Sequence, residues 1–157
     1  MAVEPIPDPG VEETARWHRT FAPRFFNRTW ELMDRPSLTS DEVDEMMASA
    51  FAQWAHWHRV GDARNRAIAD WQVSRAAVRA GHPDLARRFA ERCLRAAADL
   101  DPFVAGFAHE ALARAAALVD DVDSFTDHME AARRLLAAID DPEERAVLEA
   151  DLDEMEG

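Results

Sequence analysis

The sequence lacks lysine and tyrosine and has only one cysteine and five glycines among its 157 residues. Cys93 has no second thiol with which to form an internal disulfide, and zinc sites built from several cysteines are excluded. Five glycines leave little material for the loops that hold phosphate groups, and neither such a loop nor a G-x-S-x-G nucleophile motif occurs. We therefore predict a non-catalytic protein that uses no cofactor.

Acidic residues outnumber basic ones, and the net charge of −13 is unevenly distributed. Residues 1–60 carry −4 and residues 101–157 carry −12, whereas residues 61–100 carry +3. Because nucleic-acid binding requires a basic surface, this balance disfavours DNA and RNA as partners. The middle segment can still offer a small arginine patch to an anionic ligand or to the acidic tail of a second copy.

The N-terminal residues and the hydropathy of the sequence bear on the cellular location of the protein. Three prolines and Gly10 predict an extended leader over residues 1–10, which has neither the basic start nor the apolar run of a signal peptide. No apolar stretch approaches the length of a membrane span. We expect a cytoplasmic protein without membrane contact, with one helical domain over residues 11–157.

Alanine occurs 31 times and apolar residues recur with helical spacing, which predicts an all-α fold of about seven helices. The helices are predicted at about 12–33, 40–60, 63–80, 83–100, 102–119, 124–139 and 142–155. Pro23 is expected to kink or split the first of them. Since the breaks between helices are short, successive helices must form antiparallel hairpins.

Two segments contain a large–small pair, a turn residue and a later small residue in the same order. They are Val73-Ser74, Gly81 and Cys93, and then Leu112-Ala113, Asp120 and Ala132. Over residues 63–138 this pattern resembles the tetratricopeptide repeat, although its spacing of 39 residues exceeds the family's 34. The stretch from His58 to Arg75 also resembles uncharacterised bacterial helical-repeat proteins. These resemblances imply a right-handed superhelical stack of hairpins, with residues 142–155 as a capping helix.

In tetratricopeptide-like folds the first helix of each hairpin lines a concave groove. That resemblance implies a binding groove for a peptide or protein partner, formed by Arg64, Asn65, Trp71, Arg75, Glu110 and Arg114. Trp71 and Arg75 share one helix face through their i, i+4 spacing, and Glu110 and Arg114 repeat it. The alternative is a structural ladder of ion pairs, for instance from Arg75 to Glu110, that only joins neighbouring hairpins.

A second functional hypothesis is a small-ligand or metal-binding sensor or enzyme that uses His56, His58 and His109. The first two lie roughly 200° apart around a helix, so they cannot easily hold one ion. His109-Glu110 begins an H-E-x-x-H motif, but Ala113 stands where the second histidine is needed. We therefore predict no metal site.

Aromatic residues are concentrated in the first two helices, where four of the five tryptophans occur. A short stack of hairpins leaves apolar surface uncovered, so these helices are the expected surface of a homodimer. The alternative is that the aromatic residues form the core of the N-terminal hairpin. Cys93 is predicted to be buried and inert, because its position favours a small side chain against the partner helix.

Overall fold

The computed structural model describes residues 9–157, which form seven α-helices and no strand. The helices are α1 (Val11–Met33), α2 (Ser40–Val60), α3 (Ala63–Arg79), α4 (Pro83–Ala97), α5 (Pro102–Ala117), α6 (Val122–Leu136) and α7 (Pro142–Glu156). The all-α prediction is confirmed. Most of the predicted leader falls on residues 1–8, outside the described residues.

Side chains at the helix starts explain where most of the helices begin. Thr39 and Asp62 form capping boxes in which each accepts a hydrogen bond from the backbone three residues later. The side chains of Asp101, Asp121 and Asp141 cap α5, α6 and α7 in the same way. These caps satisfy backbone N–H groups that have no partner within their own helix.

Some boundaries differ from those predicted. α4, α5 and α6 each end a few residues earlier than the apolar pattern indicates, and α6 begins at Val122 because Asp121 caps it. Pro23 lies inside α1 without splitting it, so of the two expected effects, a kink or a split, the split does not occur.

The turns that follow α3 and α5 have the same backbone geometry. Gly81 has φ 74° and Asp120 has φ 55°, so both occupy the left-handed region. After α3, the N–H of His82 donates to the carbonyl of Ala77 at 2.9 Å, and after α5 the N–H of Asp121 donates to the carbonyl of Ala116 at 3.1 Å. The left-handed residue closes the helix end. For Asp120 this conformation is less favourable than for glycine, because its Cβ lies close to the following carbonyl oxygen.

The helices are arranged so that each packs against the next, and the odd-numbered helices also contact one another in order: α1 with α3, α3 with α5, and α5 with α7. The largest apolar core lies among α3 to α7 and includes Ala108, Ala132 and Leu148. A second core, around Leu32 and Met46, joins the first four helices. α3 and α5 are therefore enclosed by neighbours, which explains why some of their polar side chains, such as Gln72 and Glu110, are buried.

Most of the N-terminal aromatic residues are half-buried against the fold. The rings of Trp30 and Trp71 lie 5.6 Å apart, and Trp54 packs edge-on against Phe89. Trp17 remains 41% exposed, with Phe21 beside it at 39%. Among the described residues, no helix is both long enough and apolar enough to span a membrane.

Candidate functional site: an ion-pair cluster between α3, α5 and α7

Glu110 of α5 is the centre of a buried polar cluster. Its side chain has no solvent exposure, and its carboxylate accepts hydrogen bonds from Arg75, from Arg114 and, at 3.0 Å, from the indole Nε1 of Trp71. The two arginine side chains are 14% exposed. Four of the six predicted groove residues are thus brought together, around a carboxylate that two guanidinium groups neutralise. We call Trp71, Arg75, Glu110 and Arg114 the α3–α5 cluster.

Acidic residues of α7 complete the cluster from the other side. Arg75 lies 3.3 Å from Asp151, and Arg114 lies 3.2 Å from Glu154. Arg114 also donates to the backbone carbonyl of Asp151 at 3.3 Å. The arginines that were predicted to face a partner are therefore paired with the chain's own last helix. The predicted Arg75–Glu110 ion pair is present as well.

The electrostatics of the cluster reflect its burial. Burial raises the pKa of Asp151 above its ordinary value, an effect that Arg75 opposes and Glu110 reinforces. Burial alone would lower the pKa of Arg114, but Glu110, Glu154 and Asp151 outweigh it and raise that pKa. Arg114 therefore remains charged, as its contacts with three acidic side chains require.

Arg64 and Asn65 lie apart from the cluster, nearer the start of α3. Arg64 forms ion pairs with Asp101 and, at 2.6 Å, with Glu144 of α7. The side-chain oxygen of Asn65 accepts a hydrogen bond from the N–H of Asp62 at 3.2 Å as part of the helix cap. Arg64 thus joins the same set of contacts with α7, whereas Asn65 serves the start of its own helix.

The α7 helix docks on this surface through leucines as well as acids. Leu148 and Leu152 are fully buried. Gly106 of α5 makes room for the first of them, because a Cβ at that position would lie 2.5 Å from Leu148 Cδ2. Glu144, Leu148, Asp151 and Leu152 follow the i, i+4, i+7, i+8 spacing of one helix face. α7 is thus an acidic helix whose apolar and charged contacts lie on the same side.

An apolar cavity of about 240 Å³ lies beside the cluster. Its walls include Phe26, Trp30, Trp71, Cys93, Phe103 and Phe107. The guanidinium of Arg75 lies 5.7 Å from the ring centres of both Trp30 and Trp71. Cys93 is buried as predicted, and burial raises its pKa, which keeps the thiol protonated. The cavity walls are almost wholly apolar and offer no group for acid–base chemistry.

The three histidines of the alternative hypothesis lie in separate places. Nδ1 of His56 is 2.7 Å from Nδ1 of His18, and Nδ1 of His109 is 3.0 Å from Nδ1 of His128. Burial, and then the neighbouring histidine, lower the pKa of His56 and of His109. His58 instead lies against Trp54 and Asp70. Within residues 9–157, no group of three or more His, Cys, Asp or Glu side chains is suited to a metal ion.

Sequence reasoning missed the contribution of α7 to this site. The acids that pair with the cluster belong to a segment that was expected only to cap the stack. No protein-family model, curated protein or solved structure matches this chain. Function is therefore inferred from the geometry of the cluster and of α7.

Proposed function

We propose that this protein is a non-catalytic interaction module. The surface of α3 and α5 that α7 covers, here called the α3–α5 surface, binds an acidic helix with apolar anchors from a protein or peptide partner. One observation carries the proposal: the surface already accommodates such a helix, its own α7. Recognition would follow the helix-in-groove mode, in which apolar residues on one face provide anchors and flanking charges set the orientation. The buried free thiol of Cys93 suits a reducing compartment such as the cytoplasm.

The contacts with α7 define what the partner must contain. Two leucines four residues apart would occupy the places of Leu148 and Leu152, and carboxylates would reach Arg64, Arg75 and Arg114. The helix Pro142–Glu156 has seven acidic residues and one arginine. A basic or neutral helix would leave these arginines without the charges that α7 supplies, so the partner must be acidic.

The proposal is tested by supplying the α7 helix in trans. In the wild-type chain the tethered α7 has a high effective concentration, so a free peptide of residues 142–157 is expected to bind poorly. In the variant L148A/L152A the tethered helix is weakened. We expect the fluorescently labelled wild-type peptide to bind this variant at least about tenfold more tightly than the wild-type chain, as measured by anisotropy.

Two controls separate specific docking from general attraction. A peptide with L148A and L152A retains the acidic charge and should not bind, because it lacks both anchors. Circular dichroism must show that the variant chain loses no more helix than α7 itself contributes. If the variant is helical and the wild-type peptide still fails to bind, the surface cannot accept a helix from another molecule and the proposed function is wrong.

We also propose that the first two helices form a homodimer, because Trp17 and Phe21 are large, exposed and adjacent. Light scattering is expected to give a mass near twice the 17.7 kDa of one chain. Trp17→Ser should shift the mass towards the monomer, whereas Val119→Ser, at a residue that is 56% exposed and follows α5, should not. A wild-type mass near 17.7 kDa would rule out this dimer at the concentration used.

A further inference from the structure

A second polar pocket, away from α7, lies where the end of α2 meets α3 and α4. Its volume is about 480 Å³, and its polar lining comes from His58, Arg66, Asp70, Arg92 and Arg95. Arg66 and Asp70 lie one helical turn apart on α3, and Arg92 and Arg95 do so on α4. Three arginines thus face one aspartate, within the only segment of the sequence that carries an excess of positive charge.

Arg92 is held in place by contacts that leave much of its guanidinium available. Its Nε donates to Oδ1 of Asp70 at 3.0 Å, and the group lies 5.4 Å from the ring centres of both Trp54 and Phe89. Trp54 Nε1 donates to the same carboxylate oxygen at 2.8 Å, which fixes Asp70. An arginine has five N–H donors, so a guanidinium held through Nε keeps four others for a ligand. Arg92 is therefore oriented before any ligand arrives.

Arg66 adds further donors to the pocket, and His58 forms part of its wall. Nη1 of Arg66 donates to the backbone carbonyl of Gly61, which anchors one side of that guanidinium. Nε2 of His58 is buried and has no hydrogen-bond partner among the described residues, the nearest carboxylate oxygen being Oδ1 of Asp70 at 3.7 Å. Burial lowers the pKa of His58, and Arg92 and Arg66 add to that effect while Asp70 opposes it.

Among the arginines of this pocket, Arg95 has a charge that its acidic neighbour neutralises only weakly. Its side chain is 67% exposed, and its ion pair with Glu91 measures 4.0 Å, the limit for such a contact. Because Asp70 neutralises Arg92, the charge that remains in the pocket is close to that of Arg66 and Arg95 together. By contrast, the arginines facing α7 are each paired with acidic side chains.

We propose that this pocket binds the phosphate group of a small phosphorylated molecule. A phosphomonoester carries about −1.5 to −2 charges at neutral pH, which matches the excess of two arginines. Its three terminal oxygens accept hydrogen bonds, and guanidinium groups donate them in pairs. The open side of the pocket leaves room for the organic part of the molecule. This site and the α3–α5 cluster share none of their residues, so neither proposal depends on the other.

Isothermal titration of the full chain with inorganic phosphate at low ionic strength tests the site. We expect saturable binding with a one-to-one stoichiometry, and equal or tighter binding of glycerol 3-phosphate. Arg95→Gln and Arg66→Gln are each expected to weaken binding about tenfold, since each removes a charge-assisted contact. Added sodium chloride should weaken binding through screening.

The chain provides a closely matched control in Arg87→Gln. Arg87 also lies on α4, is 67% exposed, and has a 4.0 Å ion pair with Asp84, but it lies outside the pocket. This variant changes the net charge by the same amount and should bind phosphate within about twofold of the wild type. The proposal is overturned if phosphate gives no saturable heat, if Arg95→Gln binds as tightly as the wild type, or if Arg87→Gln weakens binding equally.

Discussion

Replacing Glu110 by alanine is expected to lower the free energy of unfolding by about 3–5 kcal/mol, because it leaves buried positive charge without its central partner. Arg75 and Arg114 both donate to this carboxylate, and the indole of Trp71 loses its acceptor at the same time. The removed side chain has no solvent exposure, so water does not readily replace it. Urea denaturation followed by circular dichroism measures the change.

Two further variants identify the cause of that loss. Glu130→Ala removes a carboxylate that is 67% exposed and lies 3.7 Å from Arg134, and it should cost less than about 0.5 kcal/mol. Glu110→Gln retains an acceptor of similar shape without the charge, so its loss should be smaller than that of the alanine variant. A loss below about 1 kcal/mol for Glu110→Ala would mean that Asp151 and Glu154 alone neutralise the two arginines.

Local patterns in the sequence predict the components of the cluster well. The i, i+4 spacing of Trp71 with Arg75, and of Glu110 with Arg114, predicts which side chains share a helix face. In the structure α3 and α5 lie side by side, and Glu110 lies opposite both Trp71 and Arg75. The shared helix faces follow from helix geometry alone, whereas the expectation that the two faces meet depends on the resemblance to helical-hairpin repeats.

The position of α7 could not be predicted in the same way. Arg75 and Asp151 are separated by 76 positions in sequence, and seven acidic residues of α7 would suit an arginine equally well by charge alone. What selects the face of the helix is apolar packing, since Leu148 fits against Gly106. Such a fit depends on the three-dimensional shape of α5, which the spacing of residues along α7 does not specify.

The histidine pairs and the basic pocket were missed for a related reason. In the sequence the neighbour of His56 is His58, whereas in the structure His56 pairs with His18 of another helix. The positive charge of residues 61–100 indicated an arginine patch, but its assembly also requires His58 from α2. Spacing within one helix cannot reveal which residues of separate helices meet.

Leu148→Ala is expected to detach α7 while the rest of the fold remains. The side chain is fully buried, and truncating a buried leucine costs about 2–5 kcal/mol. α7 packs on α5 and α6 at the end of the chain, so its release does not separate the other helices from their neighbours. In hydrogen exchange followed by mass spectrometry, amides of residues 143–156 should lose protection while those of α3 and α5 retain most of theirs.

Val147→Ala provides the matched control, since this neighbouring residue is 55% exposed and makes a much smaller apolar contribution. It should change the free energy of opening of α7, as measured by hydrogen exchange, by less than about 0.5 kcal/mol. If Leu148→Ala instead lowers the protection of all helices together, α7 unfolds only with the whole domain. In that case the surface beneath α7 would not become accessible without global unfolding, and a partner helix could not replace α7 there. Selective exchange of α7 would mean that the α3–α5 surface can be uncovered while the fold remains intact.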